Sequence, residues 1–362
     1  MKKVLILANN DVGLYKFRKE LIQELVQKYT VYISLPYGKH ISDLEKIGCE
    51  FIDTPISRRG TNPITDLKLL WRYKKIIKSI KPDIVLTYTI KPNVYGGILC
   101  RINRVPYVSN ITGLGTAVEN GGVLQKITLG LYKFALKKSS CVFFQNKENK
   151  EFLTKETSIS NYNIIPGSGV NLSYYSLLDY PQTSEIHFLF IARVMKEKGI
   201  NEYLKAAEFI RDKYSYTKFH VLGFCEDEYE DKLKEMQARG IINYHGMQSD
   251  VREFHKFAHC TIHPTFYPEG MSNVLLESAA CGRPVITTDR SGCKEIVEKE
   301  QTGYIVRERD SLDLIKKIEM FLSLDNKERE KMGLLGREKV EKEFNRNIVV
   351  NSYLDIIEKT LR

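Results

Sequence analysis

The chain has 362 residues, 55 Lys+Arg against 45 Asp+Glu, a formal net charge of +10 and 43% hydrophobic residues. That length allows two domains, each able to bury a core, and the composition excludes disordered, collagen-like and coiled-coil chains. No run approaches the roughly 18 apolar residues of a membrane span, and seven scattered cysteines without C-x-x-C suit a reducing cytosol rather than a disulfide framework or structural zinc.

Met1–Asn10 opens basic like a secretory signal, but its apolar run is short and gives way to Asn9, Asn10 and Asp11, so it reads as a first strand. Short β-branched runs then alternate with amphipathic stretches, the pattern of parallel sheets with crossover helices. Strands are predicted at Lys3–Ala8, Thr30–Leu35, Phe51–Asp53, Ile84–Thr87, Tyr107–Asn110, Cys141–Gln145 and Tyr162–Ile165. Helices are predicted at Tyr15–Lys28, Ile41–Ile47, Thr65–Ile80, Tyr95–Ile102 and Val123–Lys138. Pro166-Gly167-Ser168-Gly169-Val170 punctuates the chain, setting a first domain over 1–170 and a second over 171–344. The second half restarts with strands at His187–Ile191, Lys218–Leu222, Cys260–His263 and Val285–Thr288. Its helices are Asn201–Lys213, Glu228–Arg239, Ser249–Ala258, Ser272–Cys281 and Ser311–Leu324. A last helix, within 345–362, is expected to pack back on the first domain. The fold class is α/β: two doubly wound, Rossmann-like domains facing across a cleft at the carboxyl ends of their strands.

The charge is unevenly spread. Residues 1–180 carry 26 Lys+Arg and 14 Asp+Glu, whereas 181–362 carry 29 and 31. The basic half is suited to nucleic acid, anionic lipid or a phosphorylated substrate. In the predicted third helix Leu70, Trp71, Ile77 and Ile80 form one stripe, with Lys68, Arg72 and Lys75 on another. The segment 122–138 likewise joins Leu124, Ile127, Leu131, Phe134 and Ala135 to Lys126, Lys133, Lys137 and Lys138. A core-facing helix with basic outer residues accounts for each; peripheral contact with anionic lipid is the alternative. The aromatic-basic motifs of RNA-recognition folds are missing.

The most informative segment runs from Pro268 to Ile286. A strand passes through a turn carrying Glu269 and Gly270 into a helix beginning near Ser272. Gly270 lets the backbone approach a ligand, and the first free N–H groups of the helix, around Ser272 to Val274, make an anion site. Glu277 follows Glu269 by eight residues, and a carboxylate at an inward position is costly unless a ligand hydroxyl satisfies it.

This Glu-x7-Glu pattern in a strand–turn–helix context resembles the retaining glycosyltransferases of family 4, which have the two-domain GT-B fold. Ile191-Ala192-Arg193-Val194-Met195-Lys196-Glu197-Lys198-Gly199 is similar to the family segment whose Arg and Lys hold the donor diphosphate, which places those roles on Arg193 and Lys198. Ser291–Ile296 and Gln301–Gly303 also fit. In the first half, Ser57–Pro63, Lys91–Gly96 and Thr112–Gly115 are similar to bacterial members acting on polyprenyl-diphosphate sugars, among them the bacillosaminyl-diphosphoundecaprenol N-acetylgalactosaminyltransferases.

The resemblance implies a UDP-sugar donor and a polyprenyl-diphosphate-linked sugar acceptor in surface polysaccharide or lipid-linked glycan assembly. Arg193, Lys198 and Glu269 would be catalytic: the two cations hold the leaving diphosphate, and Glu269 meets donor-sugar hydroxyls. The donor would be bound by Gly13, Arg193, Lys198, Gly270, Met271, Ser272, Asn273, Val274 and Glu277, the last on the ribose hydroxyls. The chain has no Asp-x-Asp metal motif, so Arg193 and Lys198 are expected to replace a divalent metal and no cofactor is expected. The chain lacks the family's histidine after the fourth strand, where Thr87–Asn93 stands. Gly13 is one glycine where many members have two, and Lys16 and Arg18 beyond it are equally acceptor contacts or solvated cations. His255, His259 and His263 lie four apart beside Cys260 and invite a zinc reading. His255 and His259 fall on a predicted helix and His263 on the next strand, however, which argues against a metal site. The acid-rich start at 227–231 reads as a solvated helix start. A cytoplasmic enzyme peripheral to the inner face of the cytoplasmic membrane, without nucleic-acid partners, is the expectation; a sugar-nucleotide 2-epimerase of the same fold and a non-catalytic membrane or anion-binding module are the alternatives.

Overall fold

The computed structural model describes the chain except residues 58–61, 116, 117, 119, 120 and 226, so most of the Ser57–Pro63 motif and Glu226 lie outside the described residues. Two compact units form, Met1–Ser168 with Asn347–Arg362, and Gly169–Arg346.

The first unit is a parallel sheet in the order β3-β2-β1-β4-β5-β6-β7. Its strands are β1 (Lys3–Leu7), β2 (Thr30–Leu35), β3 (Cys49–Asp53), β4 (Ile84–Tyr88), β5 (Tyr107–Ile111), β6 (Cys141–Phe144) and β7 (Tyr162–Ile164). Alternate strand residues face opposite sides. Val4, Ile6, Ile84, Leu86 and Phe143 pack beneath α1 (Asp11–Lys28) and α2 (Ile41–Ile47). Leu5, Leu7, Val85 and Tyr107 pack beneath α3 (Pro63–Ile80) and α4 (Gly97–Asn103), the latter entered through a π-helical turn at Pro92–Gly96. On that same side α5 (Gly122–Leu136) and α6 (Lys147–Thr157) cover Val142 and Phe144.

Two faces depart from the sequence reading. In α3 the buried residues are Leu69, Tyr73, Ile76, Ile77 and Ile80, while Trp71 stands 59% exposed with the Lys75 ammonium 3.5 Å from its ring. In α5 the buried side is Thr128, Tyr132, Ala135 and Leu136, leaving Leu124, Ile127 and Phe134 exposed. A core-facing helix therefore does not account for Trp71, Leu124, Ile127 or Phe134.

The second unit is a parallel sheet in the order β10-β9-β8-β11-β12-β13. Its strands are β8 (Ile186–Ile191), β9 (Thr217–Leu222), β10 (Asn243–Tyr244), β11 (Cys260–His263), β12 (Val285–Thr288) and β13 (Gly303–Val306). One side packs on α7 (Ile200–Lys213), α8 (Asp227–Ala238) and α11 (Ser311–Ser323). Residues of α10 (Asn273–Ala280) and α12 (Asn326–Glu343) join Val285 in a separate cluster. The helix predicted at Ser249–Ala258 is shorter, α9 (Arg252–Phe257), because Asp250 takes the Arg252 amide and guanidinium; His259 lies beyond it rather than on it. His259 instead ends a row of imidazoles. His187 hydrogen-bonds His220 at 3.0 Å, His220 hydrogen-bonds His245 at 2.9 Å, and the His187 amide donates to His259 Nδ1 at 3.2 Å.

The chain leaves the second unit through α13 (Arg346–Leu361), where Val349, Val350, Tyr353 and Ile357 enter the core of the first unit. The Asn110 amide donates to the Tyr353 hydroxyl at 2.6 Å.

Candidate active site

The site is assembled at the carboxyl ends of β8 and β11, where open parallel sheets bind ligands. β11 ends at His263, and the chain loops through Pro264–Met271 before α10 begins at Asn273. The loop is stitched to the turn after β8, to itself and to β12. The Phe266 amide donates to the Glu197 carbonyl at 2.9 Å, the Tyr267 amide to Thr265 Oγ1 at 3.1 Å, and Thr288 Oγ1 to the Thr265 carbonyl at 2.6 Å. Gly199 makes the close approach possible: its φ is +76°, and a Cβ there would lie 2.0 Å from the Pro264 carbonyl oxygen. Replacing Gly199 by alanine should therefore push these loops apart, costing at least about 2 kcal/mol of stability and most of the site's activity. Melting temperature and turnover of the purified variant check this together.

Lys198 ends a 3-10 turn, Lys196–Lys198, and its ammonium pairs with Glu269 Oε1. His263 Nε2 lies 3.8 Å from the same oxygen. The Tyr267 ring sits 4.7 Å from the Lys198 ammonium and 5.7 Å from the Arg193 guanidinium. Burial works against the Glu269 charge, but Lys198 and His263 beside it hold the carboxyl down to about 2. Burial also pulls the His263 imidazole down, so the ring is neutral and Lys198 is the cation of the group. Breaking such a pair strands the surviving charge in a poorly solvated place.

Beyond Glu269 the turn closes against Gly292, whose φ is +87° and whose Cβ would lie 2.6 Å from the Gly270 carbonyl oxygen. The Ser272 amide donates to the Gly292 carbonyl at 2.8 Å, while Glu295 orders that turn through the Gly292 amide at 2.7 Å and the Ser291 hydroxyl at 3.1 Å. Ser272 does not cap α10 with its side chain, so the first-turn amides keep their dipole-aligned donor character. Leu275, Leu276, Ser278, Ala279 and Ala280 are buried, leaving a strip of Asn273, Val274 and Glu277 on one flank. Burial and the Glu277 carboxylate, which is hydrogen-bonded to it, push the Tyr175 phenol up.

Two family models match the chain: "Glycosyl transferases group 1" over residues 181–339, and "Glycosyl transferase 4-like" over residues 3–146. The chain is similar to N,N'-diacetylbacillosaminyl-diphospho-undecaprenol alpha-1,3-N-acetylgalactosaminyltransferase of Campylobacter jejuni, 25% identical and covering 98% of both chains. Among solved structures, a glycosyltransferase of Rickettsia africae superposes with a TM-score of 0.83 at 19% identity, covering 100% of this chain and 99% of that one. The Anabaena protein Alr3699/HepE, solved in complex with UDP and glucose, gives 0.79 at 15% identity, covering 99% and 100%. The chain is a glycosyltransferase of the GT-B fold.

In this glycosyltransferase Arg193, Lys198 and Glu269 come together around Tyr267, with Gly270, Met271, Ser272, Asn273 and Val274 continuing the same turn. Met271 is buried against Leu275 and Ile296, so its side chain belongs to the core and only its backbone is suited to line a ligand. Sequence reasoning did not select Tyr175, His263, Tyr267, Gly292 or Glu295 as site residues; Ser291-Gly292-Cys293-Lys294-Glu295 was a visible signal for two of them.

Gly13 is not in a loop as the sequence suggested. The first helix starts at Asp11, and the Gly13 amide donates to Asn10 Oδ1 at 2.6 Å as part of its cap. That amide is thus already used in the structure. Arg18 is buried beside the Tyr88 and Tyr353 rings rather than solvated. Thr89, standing in the stretch where the family histidine is expected, holds φ +72°, strained for a β-branched residue. Its buried hydroxyl has no partner among the described residues. His255, His259 and His263 form no metal-holding group among the described residues.

Proposed function

We propose that this glycosyltransferase moves a hexosyl or N-acetylhexosaminyl group from a UDP-sugar to a polyprenyl-diphosphate-linked sugar, with retention and without a divalent metal. The observation that carries the reading is the Lys198–Glu269 pair beside Arg193, next to the uncapped start of α10. In the proposed reaction the anomeric C–O bond of the donor breaks and its electron pair leaves with UDP. The acceptor hydroxyl bonds to the anomeric carbon on the same face and passes its proton to a departing phosphate oxygen. Arg193 offers a planar fork and Lys198 a point charge to the growing negative charge, and α10 amides add preorganised dipoles. Glu269 holds Lys198 in place and accepts from donor-sugar hydroxyls, while Glu277 accepts from the ribose. The activity named for the Campylobacter relative supports the acceptor class, and the UDP bound to the Anabaena protein supports the donor class. An acceptor with a polyprenyl tail places the enzyme at the cytoplasmic face of a membrane.

A panel of UDP-sugars with polyprenyl-diphosphate-sugar acceptors tests this. Turnover should persist in EDTA, and Glu277→Ala should raise the donor KM by about tenfold, the worth of one charge-assisted hydrogen bond. Loss of all turnover in EDTA refutes the metal-free mechanism, and an unchanged KM removes the ribose contact.

A further inference from the structure

Helices α3, α4, α5 and α6 lie on one side of the first sheet, and α1, α2 and α13 on the other. Over residues 62–81, 97–104, 122–138 and 147–157, which make up the first side, there are fifteen lysines and arginines against four acids, Asp66, Glu148, Glu151 and Glu156. Asp66 is already engaged by Lys91 at 2.6 Å and Tyr95 at 2.9 Å. Over residues 11–28, 41–47 and 346–362, on the other side, there are eight basic and seven acidic residues. The surplus positive charge of the first unit is therefore concentrated on one side of its sheet.

The same side carries unusual apolar exposure. On α3, Ile64, Leu67 and Trp71 follow one another at helical spacing and are 66%, 67% and 59% exposed. On α5, Val123, Leu124, Ile127 and Phe134 do the same, and Phe134 stacks under the Arg101 guanidinium at 4.0 Å. Single exposed apolar residues need no explanation, but two such stripes ringed by cations do. Beside α3 a groove of about 960 Å³ has Ile52, Ile56, Leu69 and Ile76 in its lining, with Arg72 and Lys75 among its cations.

We propose that the α3–α5 side of the first unit is the surface that seats this enzyme on an anionic lipid bilayer. The proposal deepens the functional reading, which requires an acceptor anchored by its polyprenyl tail. Trp71, Ile127 and Phe134 enter the headgroup boundary, where an amphipathic Trp is stabilised, and the lysines meet lipid phosphates. Charge complementarity selects a bilayer of anionic lipid over a neutral one. No helix among the described residues is long and apolar enough to cross a membrane, so contact is interfacial.

Flotation of the full chain with phosphatidylcholine vesicles, with and without phosphatidylglycerol, is the test. The protein should float only with the anionic vesicles, and added salt should weaken the binding. Lys74→Glu with Lys75→Glu should lower partitioning more than tenfold, and Trp71→Ser with Ile127→Ser several-fold. Lys327→Glu with Lys331→Glu, on the second unit, should change nothing. Equal binding to neutral vesicles, or indistinguishable variants, overturns the proposal. So does an oligomer that Ile127→Ser dissolves in a protein that ignores vesicles, which makes the side a contact between copies. Preferential binding to nucleic acid that the lysine variants abolish, without vesicle binding, overturns it as well. Turnover with a water-soluble, short-tailed acceptor separates the two readings. If the face variants leave that turnover intact while losing vesicles, docking is supported; if vesicle binding holds but no UDP-sugar is turned over, docking stands and the UDP-sugar reading falls.

Discussion

Lys198→Met should lower kcat/KM by about a hundred- to a thousandfold, the loss expected when one preorganised donor is withdrawn from a developing negative charge. The same change leaves Glu269 buried without its cation, and a broken buried pair costs roughly 3–5 kcal/mol of stability. Activity and stability fall together in the single variant, so a second change is needed to separate them. In Lys198→Met with Glu269→Gln the orphaned charge is gone, and most of the lost melting temperature should return while activity stays down. Recovery of activity with stability would show that Lys198 matters only as a counter-ion. Glu269 predicts a pH signature of its own. Its folded carboxyl titrates near 2, below the ordinary value of 4.5, so the pair stabilises the fold above 4.5 and the benefit is lost as pH falls toward 2.

Acidification should unfold the second unit well before that carboxylate is reached. His220, His255 and His259 are held down to about 3, chiefly by burial, and His187 and His245 are also lowered by it. Each is neutral in the folded unit, while the unfolded chain takes up protons near 6.5. Stability is therefore full above 6.5 and falls as pH drops toward 3, by about 1.4 kcal/mol per pH unit for each of His220, His255 and His259, with His187 and His245 acting in the same direction. Neighbouring charges modify the row: Glu185 favours and Lys218 opposes protonation of His187, and Arg283 opposes it at His255 and His259. Thermal melts between pH 5 and 8 (spanning the unperturbed imidazole value) should show the decline. Hydrogen exchange should place it in the second unit. His255 tests the cause, since neither ring nitrogen has a partner among the described residues. His255→Leu should flatten the pH dependence by about one proton at little cost in stability; an unchanged slope would remove burial of this ring as a source.

Both sheets were legible because β-branched runs in parallel strands are long and uninterrupted, and their boundaries shift by only a residue or two. What escaped was polar or short, apart from the apolar strand β13, which follows the Gln301-Thr302-Gly303 turn and was not predicted. Helix α12 is rich in charge and buries Gly333 and Gly336, so it shows little apolar periodicity; its capping box, Asp325 with Glu328, was the readable signal. Helix α6 is similarly polar and is announced by Asn146, which accepts from the Asn149 amide. Strand β10 has two residues, too few for a pattern. At the site, Glu269 and Glu277 could be found because their turn–helix setting is local. Tyr175, His263 and Gly292 reach it from other elements, and only the fold brings them there. The sequence groups Trp71 with the buried Ile77 and Ile80, because a stripe of apolar residues does not say which side is core. The sheet decides that, through Leu69, Tyr73 and Ile76.

The chain begins and ends in the same unit, and that has a consequence for synthesis. A ribosome emits the first 168 residues long before α13, yet the core they form is incomplete without Val349, Tyr353 and Ile357. The second unit is contiguous and can close as soon as Arg346 emerges. At about 5–20 residues per second the first unit waits several seconds or more with one flank of its sheet uncovered. Maturation is thus out of order: the earlier-made unit finishes last, and a chain truncated by even a few turns at its end is damaged at its beginning.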